Sequence, residues 1–142
     1  MKKLSPMDCQ LILKRNFAPW IQSLNMAFED VQPGKVRLRL PAQKDVLRSG
    51  EVVCAQALTA LADTTMVFVV ASTLGEFRPV SAVTQTVNFL RPVGAGDVVA
   101  EGRMLKSGRS LCFGEIEITM LGNPEPVAHV TATYSLPQAK PI

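Results

Sequence analysis

Residues 52–74 read VVCAQALTALADTTMVFVVASTL, apolar or small and polar at nearly every position. The run is too long for one strand and rich in Ala, Leu and Met, which predicts a helix. Gly75 follows it, where a helix C-terminus is expected. Past Gly75 the hydrophobic period drops to that of strands, predicted over 80–90, 97–106, 111–121 and 127–136. Arg91-Pro92 ends the first of these, and Lys106-Ser107-Gly108-Arg109 and Gly122-Asn123-Pro124 supply turns. In the third strand Ile116, Ile118 and Met120 alternate with Glu115, Glu117 and Thr119. In the last, Val130, Ala132 and Tyr134 share one face and leave His129, Thr131 and Thr133 on the exposed one.

Upstream, Ser5-Pro6 has the form of an N-cap followed by proline, and Met7, Leu11, Ile12 and Leu13 predict a short helix over 5–16. Ala18-Pro19-Trp20 breaks it. Pro33-Gly34 is a turn between two short runs, 26–31 and 35–41. In the second run Val36, Leu38 and Leu40 alternate with Arg37 and Arg39, a half-buried strand with a basic outer face. Residues 42–50 read as a loop. The pattern implies one α+β domain over 1–142. A helix apolar on most sides must be wrapped, and a curved antiparallel sheet around a central helix does this.

Asp63 is the only charge between Val52 and Gly75. A carboxylate is rarely buried without a partner, so it either lies on a polar stripe or is held in place for chemistry. Gln56, Thr59 and Asp63 fall at i, i+3 and i+7, one stripe of the helix. That stripe either lines a cleft or faces its own copy across a dimer seam with Asp63 hydrogen-bonded and inert.

Composition narrows the classes. Hydrophobic residues make up 47% and charged residues 19%, a globular balance rather than a disordered one. A formal charge of +3 with no basic run favours an anionic ligand without pointing to nucleic acid. Cys9, Cys54 and Cys112 lack CxxC spacing, and His129 stands alone, so reduced thiols and no metal site are expected. Cys54 has no histidine near it in sequence to serve as its base. Met1-Lys2-Lys3-Leu4 has a basic start, but Asp8, Gln10, Lys14 and Arg15 leave no apolar core for export, so a cytoplasmic location is expected. Residues 52–74 could span a membrane by length, but Asp63, Gln56 and the threonines argue against it.

The order of elements, with ALADTTM, then VTQTVNFLRPVGAGDVVAEGRMLKSGRSLCFGEIEI, then VAHVTATYSL, resembles the hotdog fold, and more narrowly the PaaI-like acyl-CoA thioesterases. The likeness covers residues 35–136. It implies hydrolysis of an acyl-CoA to free acid and coenzyme A, without a cofactor. In that family a helix carboxylate attacks the thioester or activates a water; here it falls on Asp63, with both roles open. A backbone N–H at the helix start polarises the carbonyl. The family's His-Gly-Gly at that point falls on Cys54-Ala55-Gln56, a departure, although the N–H of Ala55 can still serve. An upstream asparagine of the family falls on or near Arg48. The resemblance further places substrate against Gly50, Cys54 and Thr59, and against Thr64 and Val67 along the helix. Met66, Val67 and Phe68 also read as core. Asn88, Arg91, Arg109 and Ser110 sit at strand ends and in the SGRS turn, where the family holds the phosphates of coenzyme A. Arg103 and Lys106 are weaker choices there.

Eight helical residues span about 12 Å. A thioester is shorter than that, so Asp63 and the Ala55 N–H of one chain cannot both reach it. The expected solution is a homodimer, or a dimer of dimers, with two helices antiparallel about a two-fold axis. Two other readings remain: a non-catalytic acyl-CoA-binding protein, and a dehydratase, which would require a histidine near the helix.

Overall fold

The computed structural model describes residues 2–137. Helix α1 (Pro6–Asn16) starts with a capping box, in which the Ser5 hydroxyl accepts from the Asp8 N–H and the Asp8 carboxylate accepts from the Ser5 N–H. Ala18-Pro19-Trp20 does more than break this helix. Pro19 opens a second short one, α2 (Pro19–Gln22), because its fixed φ suits a first helical position. Strands β1 (Ala27–Gln32) and β2 (Lys35–Leu40) form a hairpin over Pro33-Gly34.

The expected loop over 42–50 is more ordered than its polar sequence suggests. It contains a 3₁₀ turn, Lys44–Val46, and a two-residue strand β3 (Leu47–Arg48). The latter pairs with β4 (Val52–Val53), which was expected to be helical. The central helix α3 therefore begins at Ala55 and runs to Leu74, with Cys54 as its N-cap. Val52 and Val53 are β-branched and hydrogen-bonded outward, the Val53 N–H to Val93 O at 2.8 Å, which keeps them extended. Gly75 closes the helix in the left-handed region, at φ 78°.

Strands β5 (Ser81–Phe89), β6 (Val98–Ser107), β7 (Leu111–Met120) and β8 (Pro126–Ser135) follow, close to their expected bounds. The six long strands make one antiparallel sheet in the order β1-β2-β6-β7-β8-β5, wrapped around α3. Inward residues are those the period predicts: Val36, Leu38, Leu40, Ile116, Ile118, Val130, Ala132 and Tyr134 are all buried. Met66 and Phe68 are fully buried, while Val67 is half-buried against the core. Phe17 and Phe28 pack on Phe68 with ring centroids 5.4 and 4.5 Å away.

Two glycines set how close α3 comes to the sheet. A Cβ at Gly102 would lie 2.8 Å from side-chain carbons of Thr65 and Val69, and one at Gly114 would collide with Met66. By length and composition α3 could cross a membrane, but 72% of its most apolar window is buried inside the fold. On the outer face, Arg37 bridges Glu29 (2.9 Å) and Glu101 (2.5 Å), and Arg39 bridges Glu29 (2.5 Å) and Asp97 (3.2 Å). The strip of basic residues on β2 is thus paired with acids rather than open to an anion.

Candidate active site

Asp63 is exposed, on the one line of α3 that the fold leaves uncovered. Ala55, Gln56 and Asp63 are exposed and Thr59 is half-exposed, while Leu58, Leu61, Ala62, Thr65 and Met66 are buried. The stripe expected from the spacing is therefore present. The Asp63 carboxylate is anchored asymmetrically. Its Oδ1 accepts from the Tyr134 hydroxyl and from Gln85 Nε2 at 3.1 Å. Gln85 Nε2 also donates to the Tyr134 oxygen at 2.6 Å. Oδ2 has no hydrogen-bond partner among the described residues. Burial first, and then the neighbouring Asp63 charge, push the Tyr134 phenol's pKa up from its ordinary 10.0, so it remains a donor.

Asp63 lines a groove of about 520 Å³ with Trp20, Ile21, Gln56, Thr59, Gln85 and Phe89. Apart from Asp63, no charged side chain among the described residues lines it. A second groove, about 260 Å³, shares Ala55 and Phe89 with the first and carries Arg48 and Arg91 with Val52, Leu58, Leu90 and Pro92. The two meet at the start of α3. There, neither the Ala55 nor the Gln56 backbone N–H has an acceptor among the described residues, and Cys54 supplies no side-chain cap. Unpaired N–H groups at the positive end of a twenty-residue helix are ready donors for a developing oxyanion.

The structure thus brings together Ala55, Gln56, Thr59, Asp63, Arg48 and Arg91. Arg91 is shared with Glu125, at 3.1 Å, and with the Pro126 carbonyl. Other expected residues lie elsewhere. Thr64 is only 2% exposed, buried next to Asp63 on α3. Val67 continues the stripe one turn past Asp63 but packs on the core. Gly50 is exposed at the β3–β4 turn, with φ +89°. Half-buried Cys54 caps α3, and Asn88 is exposed on β5 opposite His129. Arg109 and Ser110 are in the β6–β7 turn and line neither groove. Arg103 is engaged by Glu115, which also faces His129 at 3.2 Å on the outer side of the sheet. The buried Cys9 thiol is pushed up to about 12 by desolvation, which leaves it inert.

Sequence reasoning missed Tyr134, Gln85 and Trp20 as site residues. A signal existed for Tyr134, since a phenol on an inward strand position needs a hydrogen-bond partner. Trp20, 60% exposed, had none.

The architecture is that of the hotdog proteins. The structure superposes on a Silicibacter protein described as a thioesterase with a TM-score of 0.86, at 29% identity over 97% of this chain and 95% of that one. The Escherichia coli PaaI protein superposes with a TM-score of 0.81 at 18% identity, covering 93% and 92% of the two chains, a likeness of fold. By sequence, the chain is 22% identical over 124 residues to a Thermoplasma acidophilum protein named as an esterase, covering 86% of this chain and 92% of that protein. The thioesterase superfamily profile matches residues 48–126, from Arg48 through α3 to the start of β8, and the chain belongs to that superfamily.

Proposed function

We propose that this chain hydrolyses an acyl-CoA thioester in the cytoplasm, as a homodimer or a dimer of dimers. The observation that carries the reading is Asp63 itself. One oxygen accepts from Tyr134 and Gln85, and the other has no hydrogen-bond partner among the described residues, in an open groove where a substrate carbonyl could approach it. Asp63 is either the nucleophile or the base that deprotonates a water. In either case the C–S bond breaks, coenzyme A leaves as a thiolate that takes up a proton, and water supplies the oxygen of the free acid. The oxyanion formed on the way is stabilised by the N–H of Ala55 of the partner subunit, since about 12 Å separates Asp63 from its own Ala55.

The edge of the sheet supports the dimer. Among the described residues strand β5 has no neighbour on its outer side, and Val83 and Phe89 on it and Leu90 just past it are 54%, 50% and 51% exposed. The groove beside Asp63 suits an uncharged, apolar acyl group flanked by Trp20 and Phe89. Arg48 and Arg91 in the adjoining groove suit the anionic end of coenzyme A.

The test is Asp63→Asn and Asp63→Ala, assayed for thiol release over a panel of acyl-CoAs. A loss of about 10²- to 10⁴-fold is expected. Unchanged hydrolysis would remove Asp63 from the chemistry. Tight acyl-CoA binding without thiol release by the unaltered chain would select the non-catalytic binder instead, the reading that Cys54-Ala55-Gln56 keeps in view.

A further inference from the structure

We infer that Tyr134 and Gln85 are positioning residues that aim the Asp63 carboxylate, a role that rests on the thioesterase reading above. Tyr134 is the chain's one tyrosine and is 1% exposed on the inner face of β8. Gln85 is half-buried on the edge strand β5. Both donate to the same oxygen of Asp63, and Gln85 also holds the Tyr134 oxygen, so the three side chains form a closed triangle. Two donors on Oδ1 fix the rotation of the carboxylate and leave Oδ2 as the atom presented to the groove.

A purely structural pairing would look different. The Tyr134 oxygen already has Gln85 at 2.6 Å, and a neutral amide oxygen would accept the phenol's hydrogen without placing a charge on an apolar helix. The carboxylate is also at the surface, lining the groove with Gln56 and Thr59, rather than enclosed around the phenol. Preorganised donors that hold one oxygen of a reacting carboxylate favour the productive geometry without touching substrate.

The experiment compares Tyr134→Phe, Gln85→Leu, Asp63→Asn and the double variant Asp63→Asn/Tyr134→Phe for kcat and KM on one acyl-CoA that the unaltered chain hydrolyses. Circular dichroism and thermal melts check each fold. Tyr134→Phe should lower kcat by roughly 10- to 100-fold, the loss of a hydrogen bond to a charged group, and leave KM unchanged. Gln85→Leu should lower kcat by about three- to tenfold, and it decides the matter if Tyr134→Phe does not fold. The double variant should keep the residual rate of Asp63→Asn, because Tyr134 acts only through that carboxylate. Full kcat in folded Tyr134→Phe and in Gln85→Leu, alongside a crippled Asp63→Asn, overturns this inference alone. A further loss in the double variant overturns it too, by giving Tyr134 an effect independent of Asp63. Unimpaired Asp63→Asn overturns the underlying reading and this inference with it.

Discussion

The hydroxyl of Tyr134 donates to Oδ1 of Asp63, joining side chains 71 residues apart in the chain. Tyr134 reaches from the inner face of β8, and Asp63 stands on the uncovered stripe of α3, so the bond links the sheet to the open side of the helix. The link explains how one charge persists in an otherwise apolar helix. Asp63 lies at the rim of the core, with one oxygen held by buried Tyr134 and half-buried Gln85, and its side chain lines a groove.

Association should be required for activity. Light scattering is expected to give two or four times the 15.4 kDa chain mass. Val83→Lys places a charge on the open edge strand, where lysine is known to block strand pairing. It should shift the protein towards monomer and lower specific activity in parallel. An active monomer would contradict the shared site.

The two arginines of the smaller groove should act on binding rather than on chemistry. Arg48→Ala and Arg91→Ala are each expected to raise KM for an acyl-CoA by about three- to tenfold with kcat unchanged. The effect should shrink at high salt, because both side chains are exposed. Steady-state kinetics at two ionic strengths checks this.

Close packing of α3 on the sheet should make Gly102 intolerant. The Cβ of Gly102→Ala would meet Thr65 and Val69 at 2.8 Å, and a destabilisation of about 1–3 kcal/mol is expected from urea denaturation. Gly94→Ala meets nothing within 4 Å among the described residues and should stay within about 0.5 kcal/mol of the unaltered chain.

Stability should fall on both sides of neutrality, for opposite reasons. Hydrogen bonding to Arg37 holds the Glu29 carboxyl below its ordinary 4.5, and Arg103 does the same for Glu115. A lowered folded-state pKa gives stability that is present above pH 4.5 and is lost as pH falls through the folded value. For Tyr134 the folded-state pKa is raised, so its contribution is present below pH 10.0 and declines as pH rises beyond that. Melting temperatures recorded against pH should show both limbs. Arg37→Gln should flatten the acid limb and Tyr134→Phe the alkaline one.

Much of this is legible in the sequence. The unbroken apolar run at 52–74 and the two-residue period after Gly75 are local signals, and they led to a wrapped helix and four strands whose bounds agree with the structure to within about two residues, except at the helix start. The helix start was misjudged because Val52 and Val53 are held extended by Val93 and Leu47, contacts that no local pattern records. The burial of Thr64 beside exposed Asp63 is likewise a matter of packing, since one step along a helix turns a side chain by about 100°.

By itself the sequence determined that Asp63 is an isolated charge on a stripe with Gln56 and Thr59, because periodicity along a helix depends only on spacing. Tertiary structure alone decided which groups meet that charge. Tyr134, Gln85 and Trp20 come from β8, β5 and α2, and their convergence depends on strand order and on how closely Gly102 and Gly114 let the helix approach the sheet. Contacts between residues so far apart in the chain leave no periodic trace, so the anchor on Oδ1 emerges only when the sheet closes around the helix.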